Sequence, residues 1–262
     1  MKIYHVDAFT DKIFSGNPAG VCVLSELKDD ICMQNVAGEL NLSETAFLLK
    51  KDDGFNLRWF SPKREVDLCG HATLASAHVL WEAGILPPDK EARFFTKSGL
   101  LAASRKGDFI ELNFPIEEDK ETVAPKELLD GLKATPIYVG KNRMDYIVEV
   151  ESEEIVRTLN PDYEMLKRLD ARGVIVTSIS NAAEIDFVSR FFAPAYGIPE
   201  DPVTGSAHCC LGPYWKRKLN RNEFNAFQAS ERGGFLKVRV ERNRVFISGK
   251  AVTVFCAELM ES

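Results

Sequence analysis

Short apolar runs bounded by turn residues dominate the first fifty positions. Residues 2–9, 20–24 and 45–50 are rich in β-branched, aromatic or other apolar side chains and predict strands. Between them Asp30 is placed to cap a helix over 31–40, with Met33, Val36, Ala37 and Leu40 spaced along one face. A further strand over 55–61 is ended by Pro62. The period then changes. Residues 72–83 carry Leu74, Ala75, Val79 and Leu80 ahead of Gly84, the pattern of a buried helix with a glycine stop. Strands resume at 93–96, 100–104 and 109–114, with Gly107-Asp108 as a hairpin turn.

The stretch 115–125 is acidic and bounded by prolines, with Glu117-Glu118-Asp119-Lys120-Glu121 at its centre, and reads as a linker or a surface loop. Beyond it the order repeats in outline. Strands are expected at 137–139 and 144–149, helices at 154–159 and 163–169, and strands at 174–179 and 187–192. A helix starts near Gly205, and closing strands cover 236–240, 245–247 and 252–258. The division expected is 1–117 and 118–262, with the last strand free to cross back to the first half.

An internal repeat supports that division. Arg58-Trp59-Phe60-Ser61-Pro62 returns as Arg190-Phe191-Phe192-Ala193-Pro194, an offset of 132 residues. After the first proline comes Cys69-Gly70-His71-Ala72, and after the second Thr204-Gly205-Ser206-Ala207. Both turns lead into an apolar helical run that carries a tryptophan, Trp81 or Trp215. Each half thus reads as strand, proline-broken loop, then a small-residue turn into a buried helix.

Composition narrows the function classes. Hydrophobic residues make up 45% of the 262, and charged residues 27%, which suits a packed core under a solvated surface. The formal net charge of −6 leaves no basic footprint for nucleic acid or acidic lipid. No apolar run approaches the ~18 residues of a membrane span, and Asp7 interrupts a signal-peptide core, so a cytoplasmic protein is expected. The six cysteines form no CxxC pair and the four histidines no HExxH spacing, so neither a disulfide framework nor a metal site is expected. GxGxxG and GxxxxGK[ST] are both missing, which removes the usual signals for a nucleotide cofactor.

Gly70 and Gly205 carry the first chemical suggestion. A helix N-terminus leaves backbone N–H groups without helical partners and bears about half a positive charge, and a glycine there lets an anion approach closely. If the halves pack about a pseudo-twofold axis, both helix starts can face one cleft. His71 follows the first glycine and Asp201 precedes the second. The positive potential would lower an imidazole pKa and a nearby carboxylate would raise it, so the two could hold or shuttle a proton. Glu44, in Asn41-Leu42-Ser43-Glu44-Thr45, stands at the start of an apolar strand and reads either as a cap or as an acid-base group. Asn17, in Gly16-Asn17-Pro18, reads either as turn chemistry or as an amide that binds a ligand carboxylate.

Together, Gly16-Asn17-Pro18, Asn41-Leu42-Ser43-Glu44-Thr45, Cys69-Gly70-His71-Ala72-Thr73 and Asp201-Pro202-Val203-Thr204-Gly205-Ser206-Ala207-His208 resemble the PhzF family of phenazine-biosynthesis-like isomerases. The resemblance implies an α+β, diaminopimelate-epimerase-like fold: two pseudo-repeated halves, each a mostly antiparallel sheet around a central helix. It also implies a homodimer and a cofactor-free site between the halves. Carried over, Glu44 is the proton-transferring carboxylate, His71 and Asp201 its polar partners, and Gly70, Gly205 and Ser206 a cradle for the substrate carboxylate. Epimerase relatives place a cysteine before each such glycine. Here Cys69 fills the first position but Thr204 the second, and a hydroxyl is a far weaker acid than a thiol of pKa ~8.5.

The expectation is therefore an isomerase that moves a proton within a small carboxylate-bearing metabolite, with Glu44 as base and acid. The alternatives are a racemase or epimerase using Glu44 and Cys69, and a non-catalytic small-anion binding protein.

Overall fold

The computed structural model describes residues 1–260. The chain divides into two compact units, Met1–Asn113 with Ser248–Ser262, and Phe114–Ile247.

The first unit contains, in chain order, β1 (Lys2–Ala8), β2 (Asn17–Leu24), α1 (Asp30–Leu40), β3 (Glu44–Lys51), β4 (Gly54–Phe60), β5 (Glu65–Val66), α2 (Gly70–Glu82), β6 (Ala92–Thr96), β7 (Gly99–Lys106) and β8 (Phe109–Pro115). The second contains β9 (Lys120–Glu121), α3 (Lys126–Leu132), β10 (Pro136–Lys141), β11 (Asp145–Val150), α4 (Glu153–Thr158), α5 (Tyr163–Leu166), β12 (Gly173–Ile179), β13 (Phe187–Ala193), β14 (Ile198–Asp201), α6 (Gly205–Leu219), β15 (Glu223–Gln228), β16 (Gly234–Glu241) and β17 (Arg244–Gly249). The last strand, β18 (Ala251–Glu258), pairs antiparallel with β1 and so belongs to the first unit.

The repeat extends to strand pairing. In the first unit β1–β2 is antiparallel, β2–β3 parallel across the α1 crossover, β3–β4 and β4–β5 antiparallel, β4–β6 parallel and β6–β7 antiparallel. The second unit runs through the same series: β10–β11 antiparallel, β11–β12 parallel across α4 and α5, β12–β13 and β13–β14 antiparallel, β13–β15 parallel and β15–β16 antiparallel. Even the added edge corresponds, since β9 pairs with β10 as β18 pairs with β1.

The repeated arginines show why the sequence match is where it is. Arg58 Nε and Nη2 donate to Glu65 at 2.7 and 2.9 Å, and Arg190 Nε and Nη2 donate to Glu200 at 2.7 and 2.8 Å. Each guanidinium also lies over the phenylalanine two residues on, Phe60 or Phe192. A bidentate arginine thus fastens each short return strand, β5 or β14, to the strand before the proline. The second loop is longer because it holds a 3-residue helical turn, Pro194–Tyr196.

Each unit is built on one buried helix. In α2 the run from His71 to Ala77, with Val79, Leu80 and Trp81, is buried on every face. Such a helix is covered all round, here by β1, β2, β3, β7 and β18. In α6 the buried run is Ala207 to Trp215, and Trp215 stacks on Phe187 of β13 with ring centroids 5.5 Å apart.

Two expectations are corrected. The acidic stretch is not a free linker: Lys120 and Glu121 form β9, and Asp119 is buried, accepting from Tyr138 Oη and from Arg217 Nη2. A carboxylate with two such donors is held within the unit, whatever the composition around it suggests. Helix α1 is capped by Asp29, whose carboxylate accepts from Cys32 N at 2.7 Å, while Asp30 lies in the first turn and accepts from Arg58 Nη1. Helix α3 and strand β15 fall outside the elements that periodicity predicts.

Candidate active site

Three backbone features of the first unit converge on one cluster. Asn17 opens β2, Glu44 opens β3, and His71 is the second residue of α2. The parallel register sets Ala19 beside Glu44, so the starts of β2 and β3 lie side by side. Helix α2 begins after Cys69, which has extended backbone and makes no side-chain cap hydrogen bond. By contrast α1, α4 and α5 are capped by Asp29, Ser152 and Asp162.

The imidazole of His71 is the centre of the cluster. Asn17 Nδ2 donates to His71 Nδ1 at 3.3 Å, which places the ring proton on Nε2. That nitrogen lies 3.3 Å from Glu44 Oε2. Burial pushes the His71 pKa down to about 3, so the ring is neutral rather than a counter-charge. Cys69 Sγ lies 3.5 Å from Nδ1 and 4.0 Å from Nε2. Glu44 keeps 13% of its side chain exposed against 7% for His71, so a carboxylate at the surface of the cluster is backed by buried partners.

The corresponding positions of the second unit carry different chemistry. Asp145 opens β11 as Asn17 opens β2, Arg172 immediately precedes β12, and Ser206 is the second residue of α6 as His71 is of α2. Arg172 Nε donates to Asp145 Oδ1 at 2.9 Å, Nη2 donates to Oδ2, and Nη1 donates to Ser206 Oγ at 3.0 Å. Burial opposes the charge on Arg172, but Asp145 and Asp201 more than restore it, and its pKa is raised. Burial also raises the pKa of Asp145. Where the first unit has an amide, an imidazole and a carboxylate, the second has a carboxylate, a hydroxyl and a guanidinium.

The turn into α6 is held by Gln228. Its Oε1 accepts from Thr204 N at 2.8 Å, and its Nε2 donates to Asp201 O at 2.8 Å and to Thr204 Oγ1 at 3.1 Å. Thr204 Oγ1 in turn donates to Asp201 Oδ2, so the hydroxyl is drawn away from the helix and α6 also starts with no side-chain cap. Neither buried helix thus has its first-turn N–H groups capped by the side chain at its N-cap, and such groups are the ones that bind anions at helix starts. Thr204 stands where a second thiol would be needed, with its hydroxyl engaged by a carboxylate.

Of the residues singled out in the sequence, the structure brings Asn17, Glu44, Gly70 and His71 together in the first unit, and Asp201, Gly205 and Ser206 in the second. Sequence reasoning missed Arg172, Asp145 and Gln228. Arg172 lies in Asp170-Ala171-Arg172-Gly173, which carries no motif; only its place in the repeat could have marked it.

Comparison with known proteins places the chain in a family. The model of the phenazine biosynthesis-like protein family, PhzC-PhzF, matches residues 6–257. The chain belongs to this family. An uncharacterized isomerase of Halalkalibacterium halodurans is 59% identical over 98% of both chains. A crystal structure of a PhzF family protein from Enterococcus faecalis superposes with a TM-score of 0.96 at 42% identity, over 99% of each chain. The fold reaches further, to a probable proline racemase of Agrobacterium radiobacter, with a TM-score of 0.67 at 12% identity, over 100% of this chain and 93% of that one. The fold is thus the PhzF and diaminopimelate-epimerase-like one, and the enzyme class is isomerase. No helix among the described residues is long and apolar enough to cross a membrane.

Proposed function

We propose that this isomerase moves a proton within a small, carboxylate-bearing metabolite, and that Glu44 takes the proton from one atom and returns it to another. The observation that carries this reading is the held carboxylate: Glu44 Oε2 lies 3.3 Å from Nε2 of a neutral, buried His71 whose other ring nitrogen is occupied by Asn17. A base held in one orientation avoids the entropy cost of finding it during the reaction.

Negative charge develops on the substrate as the proton leaves. The uncapped N-terminus at Gly70 offers N–H groups to a carboxylate or to that developing charge. In the second unit, the start of α6 at Gly205 and Ser206 has the same anion-binding chemistry, and the Arg172 guanidinium beside it adds a full positive charge. Asp201 acts by orienting Thr204, and through it the turn that presents those N–H groups.

An epimerase reading draws on Cys69, whose thiol sits 3.5 Å from His71 Nδ1 and could carry a second proton. The two readings differ in product. Carboxylated metabolites incubated with the protein in heavy water will show deuterium at a migrated position for double-bond isomerisation, and at an inverted stereocentre for epimerisation. Glu44→Gln keeps the shape of the side chain but cannot accept a proton, and is expected to lose at least ~10²-fold in exchange. Exchange at the wild-type rate in Glu44→Gln would remove Glu44 from the chemistry.

A further inference from the structure

The sequence has no metal-ligand spacing, yet the fold gathers one oxygen, one sulfur and one nitrogen donor. Glu44, Cys69 and His71 each offer a ligand atom, and all three atoms lie within 4.8 Å of one another. We infer that Glu44, His71 Nε2 and Cys69 Sγ form a three-ligand site for a borderline-soft divalent cation, zinc(II) in the first place, and that such a cation switches the enzyme off.

One of the ligand pairs is already at the spacing a bound ion sets, and the thiol stands beside it. Zinc bonds of about 2.0–2.3 Å at tetrahedral angles set neighbouring ligand atoms about 3.3–3.7 Å apart. His71 Nε2 and Glu44 Oε2 are 3.3 Å apart, and Cys69 Sγ and Nε2 are 4.0 Å apart. Sγ lies nearer Nδ1, at 3.5 Å, so the thiol must swing by about 2 Å or more about its Cα–Cβ bond to reach an ion held on Nε2 beside Glu44, and water or a substrate oxygen then completes the tetrahedron. A thiolate, an imidazole and one carboxylate suit zinc, whereas magnesium and calcium prefer all-oxygen ligands.

The backbone already fixes two of the ligands. Cys69 and His71 flank Gly70 at the start of α2, and Glu44 starts β3, so neither a loop nor a helix must rearrange. On binding, the Cys69 thiol releases its proton to solvent and the His71 ring proton moves from Nε2 to Nδ1. The amide of Asn17, turned over, presents its oxygen to that proton and so holds the ring in the ligating tautomer.

A carboxylate bound to zinc cannot take a proton from a substrate. That regulatory half of the inference rests on the proposed role of Glu44; the metal site itself does not. Competition between the whole protein and a chromogenic zinc chelator measures the site directly. The background is Cys32→Ser/Cys256→Ser, because these two cysteines are the less buried ones and would otherwise add weak thiol sites. One equivalent of zinc is expected to bind, with Cys69→Ser and Glu44→Gln each weakening it at least ~100-fold and magnesium failing to compete. Cobalt(II) on the same background gives a readout independent of any further substitution: a thiolate-to-cobalt charge-transfer band with tetrahedral d–d bands is expected. Equal zinc affinity in the background and in Cys69→Ser, or a cobalt spectrum without the thiolate band, overturns the site. If zinc binds as expected while Glu44→Gln still exchanges at full rate, the proposed function falls and the metal site stands.

Discussion

Lowering the pH should destabilise the second unit through a histidine that takes no part in the proposed chemistry. His208 is fully buried in α6, its Nδ1 donates to Thr204 O at 2.9 Å, and its ring stacks on Phe187. Its Nε2 has no hydrogen-bond partner among the described residues. Burial pushes the pKa down to about 4 from the ordinary 6.5, against the smaller opposing effect of the Thr204 carbonyl. Below pH 6.5 the unfolded chain takes up a proton that the folded ring refuses. Stability is therefore lost as the pH falls from about 6.5 towards 4, and the ring costs nothing above pH 7. Integrating the linkage relation between pH 7 and pH 5 gives a loss of roughly 2 kcal/mol from this one side chain. His208→Asn keeps a donor near the position of Nδ1 and removes the titration. The test is urea denaturation of both proteins at pH 7 and pH 5, followed by tryptophan emission, since Trp215 packs on the same Phe187 ring. The variant will be weaker at pH 7, having lost the ring stack. Between the two pH values, however, the wild type should lose roughly 2 kcal/mol more than the variant, or about 1 M in urea midpoint. Equal losses in the two proteins would show that His208 binds its proton in the folded state, and would refute the argument.

Other consequences follow from the same geometry. Glu44→Asp should also exchange protons poorly, because its carboxylate is one methylene short of both His71 Nε2 and the reacting atom; exchange in heavy water measures it. Gly70→Val and Gly205→Val should each weaken binding of small carboxylates by calorimetry, and unchanged affinity in both would remove the helix N-termini from the mechanism. Asp145→Ala leaves the part-buried Arg172 guanidinium without its carboxylate and should cost about 1–3 kcal/mol in thermal or urea denaturation. Gly173→Ala would set a Cβ 2.5 Å from Phe191 Cζ and 2.8 Å from the Phe192 carbonyl oxygen; because backbone cannot yield as a side chain does, a loss of about 1–3 kcal/mol is expected.

The sequence by itself determined the local order of the chain and the existence of the repeat. Strand patterns, the two buried helices and the Arg-x-Phe-x-Pro match depend on neighbours within a few residues, and periodicity records them. Glu44, His71, Gly70, Asp201, Gly205 and Ser206 were legible because each sits in a short motif at a turn. The acidic stretch misled for a physical reason: composition reports average solvation, whereas the burial of Asp119 is set by Tyr138 and Arg217, far along the chain. Tertiary structure decided which side chains meet. Asn17, Glu44 and His71 are joined only when β2 and β3 pair in parallel beside the start of α2, and Arg172 reaches Ser206 only through the equivalent pairing in the second unit. Hydrogen bonds of about 3 Å between residues dozens of positions apart leave no local trace, because their partners are set by strand register and helix placement rather than by spacing along the chain.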